Sequence, residues 1–279
     1  MILEAAIGDA YGAGFEFRDM EFINKNNHLD KYYPHGLYTE IYKRYTDDTQ
    51  MALALAELLL ETDEWNEEKV ADKFVEVFHR DKRRGYSDRV YNALDKSKNG
   101  LEFMKNLNRG SNGNGSAMRA YTLGYIPEIS KLLEFVRIQA VVSHDTEEGI
   151  ICAKRIALIV HYYVYDIQGV SLINFLNRFL PTQSSFEIVS PIDMHGYPTT
   201  NAIINIVSGA NNMRDCLSDC INYGGDTDTV AALCMAILSV KKDSQHNLPK
   251  FLYNDLENGD FGRDYLIDID KKLRLKFNL

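Results

Sequence analysis

The sequence predicts an all-α fold built as one domain, and three observations carry that prediction. Apolar residues recur at helical spacing along most of the chain. Alternating, period-2 segments are scarce. None of the six Pro lies in a Pro-rich or Gly/Ser-rich linker, and no repeat of fixed period is present. A chain of 279 residues has room for one large domain or two small ones. Without a linker, a single compact domain over residues 1–279 is expected.

The elements follow in order. Near the N-terminus Gly8 and Gly12 stand four apart, on one face of a helix that can then pack closely on a neighbour. Residues 49–61 are rich in Ala and Leu and contain no Gly or Pro, the composition of a helix interior. Val70, Phe74, Val77 and Phe78 recur at helical spacing, as do Ile156, Val160 and Val164. Residues 201–211, 215–223 and 230–240 read the same way. The exception is 180–200, where Pro181, Pro191 and Pro198 fall and periodicity is low. It reads as a long functional loop, with 187–191 as a short candidate strand.

Composition narrows the function. Apolar residues make up 45% and charged residues 25%, which excludes a disordered, collagen-like or coiled-coil chain. A chain of this length needs neither disulfide nor metal merely to fold. Against 31 Lys and Arg stand 40 Asp and Glu, a net charge of −9. No global basic field exists for nucleic acid, which is not an expected partner. The four Cys (Cys152, Cys216, Cys220, Cys234) form no CxxC pair and indicate a reducing compartment. The four-residue spacing of Cys216 and Cys220 indicates shared packing. The first residues carry no basic stretch, and Glu4 and Asp9 break their apolar run, so no secretory signal is read there. Residues 51–60 are too few to cross a bilayer. A cytoplasmic monomer with no membrane partner is expected.

Five segments could carry chemistry. Thr46-Asp47-Asp48-Thr49-Gln50 precedes the Ala/Leu helix, and Asp47 with Gln50 makes a capping-box pattern. Gly224-Gly225-Asp226-Thr227-Asp228-Thr229 precedes another helix and can likewise be a cap after a glycine stop. One oxygen is enough to cap a helix, yet each start offers two Asp flanked by Thr. Brought together, these hard oxygens suit Mg²⁺, and four carboxylates exceed the needs of one ion that keeps waters. Neither segment holds His or Cys, which argues against zinc. Without metal the four Asp would repel, and some would take up protons.

The third segment, Asn112-Gly113-Asn114-Gly115-Ser116-Ala117-Met118-Arg119, runs from loop into helix, a setting for phosphate binding or a Ser-capped flexible loop. It lacks the Gly-Lys-Ser/Thr ending of a Walker A loop. The fourth holds Glu16 between Phe15 and Phe17, a carboxylate suited to proton transfer or simply a surface Glu on a packing helix. In the fifth, Ser143-His144-Asp145, the His-Asp pair hints at a phosphohydrolase, but the other His are scattered. Ser143 is equally a helix cap, and His144 can line a pocket.

These segments, in this order, resemble the ADP-ribosylglycohydrolase family over nearly the whole chain. The resemblance rests on Gly8-Asp9-Ala10 with Glu16, Thr46-Asp47-Asp48-Thr49, Gly113-Asn114-Gly115 with Met118-Arg119, Ser143-His144, Gly196-Tyr197 and Gly224 to Thr229. It implies an orthogonal all-α fold with two Mg²⁺, Mn²⁺ being an alternative. The implied metal ligands are Thr46, Asp47, Asp48, Asp226, Asp228 and Thr229. Gly113, Gly115, Ser116 and Met118 match the family's loop for the ADP-ribose phosphates, and His144 a residue beside the nucleotide. Glu16 matches a mobile acid near the metals; Glu16, Asp47 and Asp228 are the catalytic candidates. The implied activity is hydrolysis of the glycosidic bond between ADP-ribose and a modified target, either a protein side chain with arginine first or a small ADP-ribose derivative. An ADP-ribose-binding relative without turnover is the alternative. Two departures, Thr122 before Leu123-Gly124 and Met235 and Ser239 in the last motif's helix, bear on packing behind the site.

Overall fold

The computed structural model describes residues 1–182 and 187–279. Among the described residues it is helical, with no strand and only isolated bridges between loops. The helices are α1 (Ile2–Gly12), α2 (Met20–Asn26), α3 (Asp47–Glu61), α4 (Glu67–Arg80), α5 (Asp88–Lys96) and α6 (Gly100–Asn106). Then come α7 (Gly115–Met118), α8 (Ile129–Val141), α9 (Glu147–Val164), α10 (Leu172–Leu176) and α11 (Gly196–Gly209). The last are α12 (Met213–Asn222), α13 (Thr227–Leu238), α14 (Lys250–Asp255) and α15 (Arg263–Phe277). The all-α expectation holds. Residues 187–191 form no strand. The long-loop reading of 180–200 falls partly on 183–186, outside the described residues, and its end is helical. Pro198 lies in the first turn of α11, where a missing N–H costs no intrahelical bond.

α13 is apolar on every side after its first turn and is buried from Thr227 to Leu238. It forms the centre, with α1, α12, α11 and α9 against it. α1 approaches most closely because its two glycines face α13. A Cβ on Gly8 would lie 2.4 Å from the Ala231 carbonyl oxygen, and one on Gly12 would lie 2.5 Å from that of Thr227. α3, buried from Asp47 to Leu59, packs on α4, α15 and α1. The sequence pattern places the starts of α3, α11 and α13 late. Their first turns are polar or carry Pro, and so lack the apolar period, and in α3 and α13 that first turn is the acidic motif. Among the described residues no helix is long and apolar enough to cross a membrane.

The α1–α13 contact gives a stability test. Gly8→Ala should lower the unfolding free energy by about 1–3 kcal/mol, the usual cost of overpacking. Gly209→Ala, with nothing within 4 Å of the new Cβ, should cost little. Urea denaturation checks both; equal midpoints for the two variants would contradict the close-packing account.

Candidate functional site

Asp9 of α1 organises the first acidic motif. Its carboxylate accepts the Thr46 N–H at 3.0 Å, the Thr49 N–H at 3.1 Å and the Thr49 hydroxyl at 2.6 Å. Thr46 is the N-cap of α3, its Oγ1 accepting from the Asp48 N–H at 3.3 Å. The capping-box expectation for Asp47 is therefore corrected. Gln50 cannot reach back, because its amide donates to the Asp81 carbonyl at 2.6 Å and its oxygen accepts from the Tyr86 hydroxyl at 2.7 Å. With the helix start satisfied by Asp9 and Thr46, Asp47 and Asp48 are left to line a cavity of about 260 Å³. Gly85, at φ +110°, passes over them; a Cβ there would sit 2.2 Å from Asp47 Oδ1.

The second motif starts α13. Asp226 occupies the cap position but makes no side-chain capping bond; it accepts instead from Asn114 Nδ2 at 2.5 Å. Asp228 Oδ1 accepts from the Thr229 N–H at 2.9 Å, and the Thr227 hydroxyl donates to the Gly12 carbonyl at 2.8 Å. Gly224 and Gly225 both have positive φ, and a Cβ on Gly225 would lie 1.9 Å from the Ile192 carbonyl oxygen. That closeness lets Ile192 bond both Gly224 and Asp226. The same segment is tied to the glycine loop, with Asn114 N–H on Met194 O and Gly196 N–H on Asn112 O. Three loops far apart in sequence are thus stitched into one wall.

Glu16 stands apart from both acidic motifs in the sequence, but not in space. Its carboxylate, with Asp226 and Asp228, offers oxygens all within 4.8 Å of one another. The Phe17 N–H, on a residue with φ 51°, is bonded to the Gly225 carbonyl and fixes the backbone beside Glu16. On its outer side Glu16 Oε2 meets His35 Nε2 at 2.8 Å. His35 Nδ1 accepts from the Leu37 and Tyr38 N–H groups, both at 3.0 Å, so Nε2 carries the hydrogen and donates to Glu16.

The substrate-loop candidates divide. Gly113, Gly115, Met118 and His144 line the cavity, together with Arg119 and Asn114. Ser116 does not: its hydroxyl is buried and donates to the Gly149 carbonyl at 2.8 Å. Thr46, buried at its cap position, is likewise not among the lining residues, whereas Thr229 is. His144 packs so closely on Gly115 that a Cβ there would meet its Cε1 at 2.7 Å. Ser143 is not a cap; Thr146 caps α9. Ser143 Oγ accepts from Arg119 at 2.7 Å and lies 2.8 Å from His144 Nδ1, to which its hydroxyl donates. Burial, then Arg119, pushes His144 well below its ordinary value, so it is neutral and presents Nε2–H.

Burial raises Asp9 and Asp226 to about 6. Asp47, Asp48 and Asp228 are raised further, first by burial and then by neighbouring carboxylates. Asp48 Oδ1 is buried with no hydrogen-bond partner. An orphaned carboxylate oxygen beside crowded acids, all hard oxygen donors, fits a divalent cation of the Mg²⁺ kind. Sequence reasoning did not assign roles to His35, Arg119, Tyr86 or Asn114. Asn114 and Arg119 lay inside the glycine motif; His35 and Tyr86 gave no local signal.

The sequence model of the ADP-ribosylglycohydrolase family matches residues 1–278, and the chain belongs to that family. It is similar to the ADP-ribosylhydrolase ARH3 of Xenopus tropicalis, 26% identical over 309 aligned residues that cover 85% of this chain and 84% of that protein. The mouse (Mus musculus) ADP-ribosylhydrolase ARH3 is 30% identical over 198 residues, covering 66% of this chain and 52% of that one. A solved structure described as an ADP-ribosylglycohydrolase-related protein complex superposes with a TM-score of 0.77 at 20% identity, covering 100% of this chain and 96% of its own. That likeness is one of fold.

The raised carboxylates set a pH dependence. A folded value above the unfolded one gives stability that is present below about pH 4 and lost as pH rises through about 6. The metal-free protein should therefore melt at lower temperature as pH rises across that window. Added Mg²⁺ should restore the melting temperature, more at neutral pH than in acid. Scanning calorimetry with and without Mg²⁺ checks this; a metal-free melting temperature that climbs across the window would contradict it.

Proposed function

We propose that this protein hydrolyses the glycosidic bond joining ADP-ribose to a modified protein side chain and releases free ADP-ribose. The observation that carries the reading is the meeting of Glu16, Asp226 and Asp228 on a cavity that also takes in Asp47, Asp48, Gly113, Gly115 and His144. The family membership supports the same class of reaction. The proposed ligands are Asp47, Asp48, Asp226, Asp228 and Thr229, with Thr46 contributing through the start of α3, and the proposed cofactor is a pair of Mg²⁺ ions. When bound, they would supply Lewis-acid polarisation and hold ribose hydroxyls at the bond to be cut.

The chain's own residues do the rest. Gly113, Gly115 and Met118 form the wall for the diphosphate, where backbone can come close to a ligand. His144 offers a neutral N–H donor whose direction Ser143 and Arg119 fix. Glu16 is the proton-transfer group, aimed inward by His35 on one side and by the Phe17–Gly225 bond on the other. Asp9, behind the first motif, and Asn114, on the cavity wall, hold the two Asp motifs in place. Leaving-group departure builds positive character on the anomeric carbon; a water adds its hydroxyl there, and the proton balance, one to the leaving group and one from the water, passes through Glu16.

The two acids should fail differently. Asp228→Asn should lower metal content and turnover together. Glu16→Gln should keep the metal and ADP-ribose affinity and lower turnover by about 10²–10⁴. The assay follows ADP-ribose release from a panel of defined ADP-ribosylated peptides, arginine-linked first and serine-linked beside it. Parent-rate turnover by Glu16→Gln removes its proton role. ADP-ribose binding with no release from any substrate by the parent protein would instead mark a reader.

A further inference from the structure

Three of the four cysteines converge outside the cavity. Cys216 and Cys220 lie on one face of α12, and Cys234 faces them from α13. Their sulfurs all lie within 4.8 Å of one another, and all three residues are buried. The sequence pattern brought together only the first two, as shared packing. The third joins through the pairing of α12 with α13, a tertiary contact.

The geometry and the charge together say what such a cluster takes. A centre with bonds of about 2.3 Å to three sulfurs needs them about 4.0 Å apart in a plane, and closer in a pyramid. With the three sulfurs already within 4.8 Å of one another, small side-chain rotations bring them to that spacing. Among the described residues no His, Asp or Glu joins the group, so the fourth ligand that zinc takes is missing. Soft thiolates select soft centres. Three thiolates around a monovalent ion would leave two negative charges in an apolar core, which is costly. Around a trivalent centre they leave none.

We propose that Cys216, Cys220 and Cys234 form a three-sulfur binding site for a trivalent thiophilic centre of the arsenite class. The reaction balances without electron transfer. Three As–O bonds of arsenous acid and three S–H bonds break; three As–S bonds form and three waters leave. Cys216 attacks first, because hydrogen bonds from Cys220, then Cys234, lower its thiol, whereas burial holds Cys234 up. Access requires the first turn of α12, which holds Cys216, to open away from the 245–247 segment to which Met213 and Arg214 are bonded. The product clamps α12 to α13. The turn between those helices is Tyr223-Gly224-Gly225-Asp226, so the clamp joins the two helices that flank the second acidic motif.

The test uses the full reduced chain and arsenite. Native mass spectrometry should show one arsenic per chain with loss of three waters, and X-ray absorption should show three sulfurs on it. The melting temperature should rise, since the centre binds the folded state. Cys152→Ala should keep the adduct. Cys216→Ala, Cys220→Ala and Cys234→Ala should each lose the three-sulfur signature, with Cys→Ser versions made in parallel and circular dichroism verifying the fold. The proposal is overturned if the native parent takes up no arsenic, if arsenic carries only two sulfurs, or if Cys234→Ala retains the parent spectrum.

Discussion

The α3 start depends on a carboxylate that belongs to another helix. A helix start leaves N–H groups without partners, and the N-cap side chain normally serves one of them. Here Asp9, from α1, takes the Thr46 and Thr49 N–H groups, and Thr46 takes that of Asp48. Asp47 and Asp48 are thereby released from local duty and turned into the cavity. The arrangement works only if α1 is held at the right height. The Gly8 and Gly12 contacts with the α13 backbone fix that height, and α13 also bears Asp226 and Asp228. One contact between two helices therefore sets the separation of both acidic motifs.

That separation has a cost. Buried carboxylates repel one another, and desolvation favours their protonated forms. Local bonds offset part of it: Asn114 on Asp226, the Thr229 N–H on Asp228, three donors on Asp9. Asp48 keeps an oxygen with no protein partner. The strain is localised where a cation would relieve it, and the walls that carry it are pinned by backbone bonds between the 112–114, 192–196 and 224–226 loops. A site of this kind is rigid before its ligand arrives, which is what positioning a sugar between metal and proton donor requires.

Much of this was legible in the sequence, and the gaps have physical reasons. The doubled Asp/Thr motif stood out because it offers more oxygens than capping uses. α3, α4, α9, α11, α12 and α13 were legible, wholly or in part, from their apolar period, whereas helices such as α2, α5, α8 and α15 were not picked out by it. Ser116 is in the right motif, but its hydroxyl bonds Gly149, thirty-three residues on, and no local pattern encodes that. The role of Asp9 depends on partners in α3, and that of His35 on an irregular segment folded back on Glu16. Ser143 is displaced as a cap by Thr146 because Arg119, itself fully buried, recruits its hydroxyl. In each case a long-range hydrogen bond outbids a local one.

The central claim is that both acidic motifs hold ions in one shared centre. A crystal structure of the protein grown with Mn²⁺ and ADP-ribose, with anomalous scattering measured at the manganese edge, tests it most directly. The account predicts anomalous peaks between Asp47–Asp48 and Asp226–Asp228, with Glu16 at their margin and the diphosphate along Gly113 to Met118. Peaks elsewhere on the surface, or a sugar bound in the cavity while the four Asp carry no ion, would contradict it.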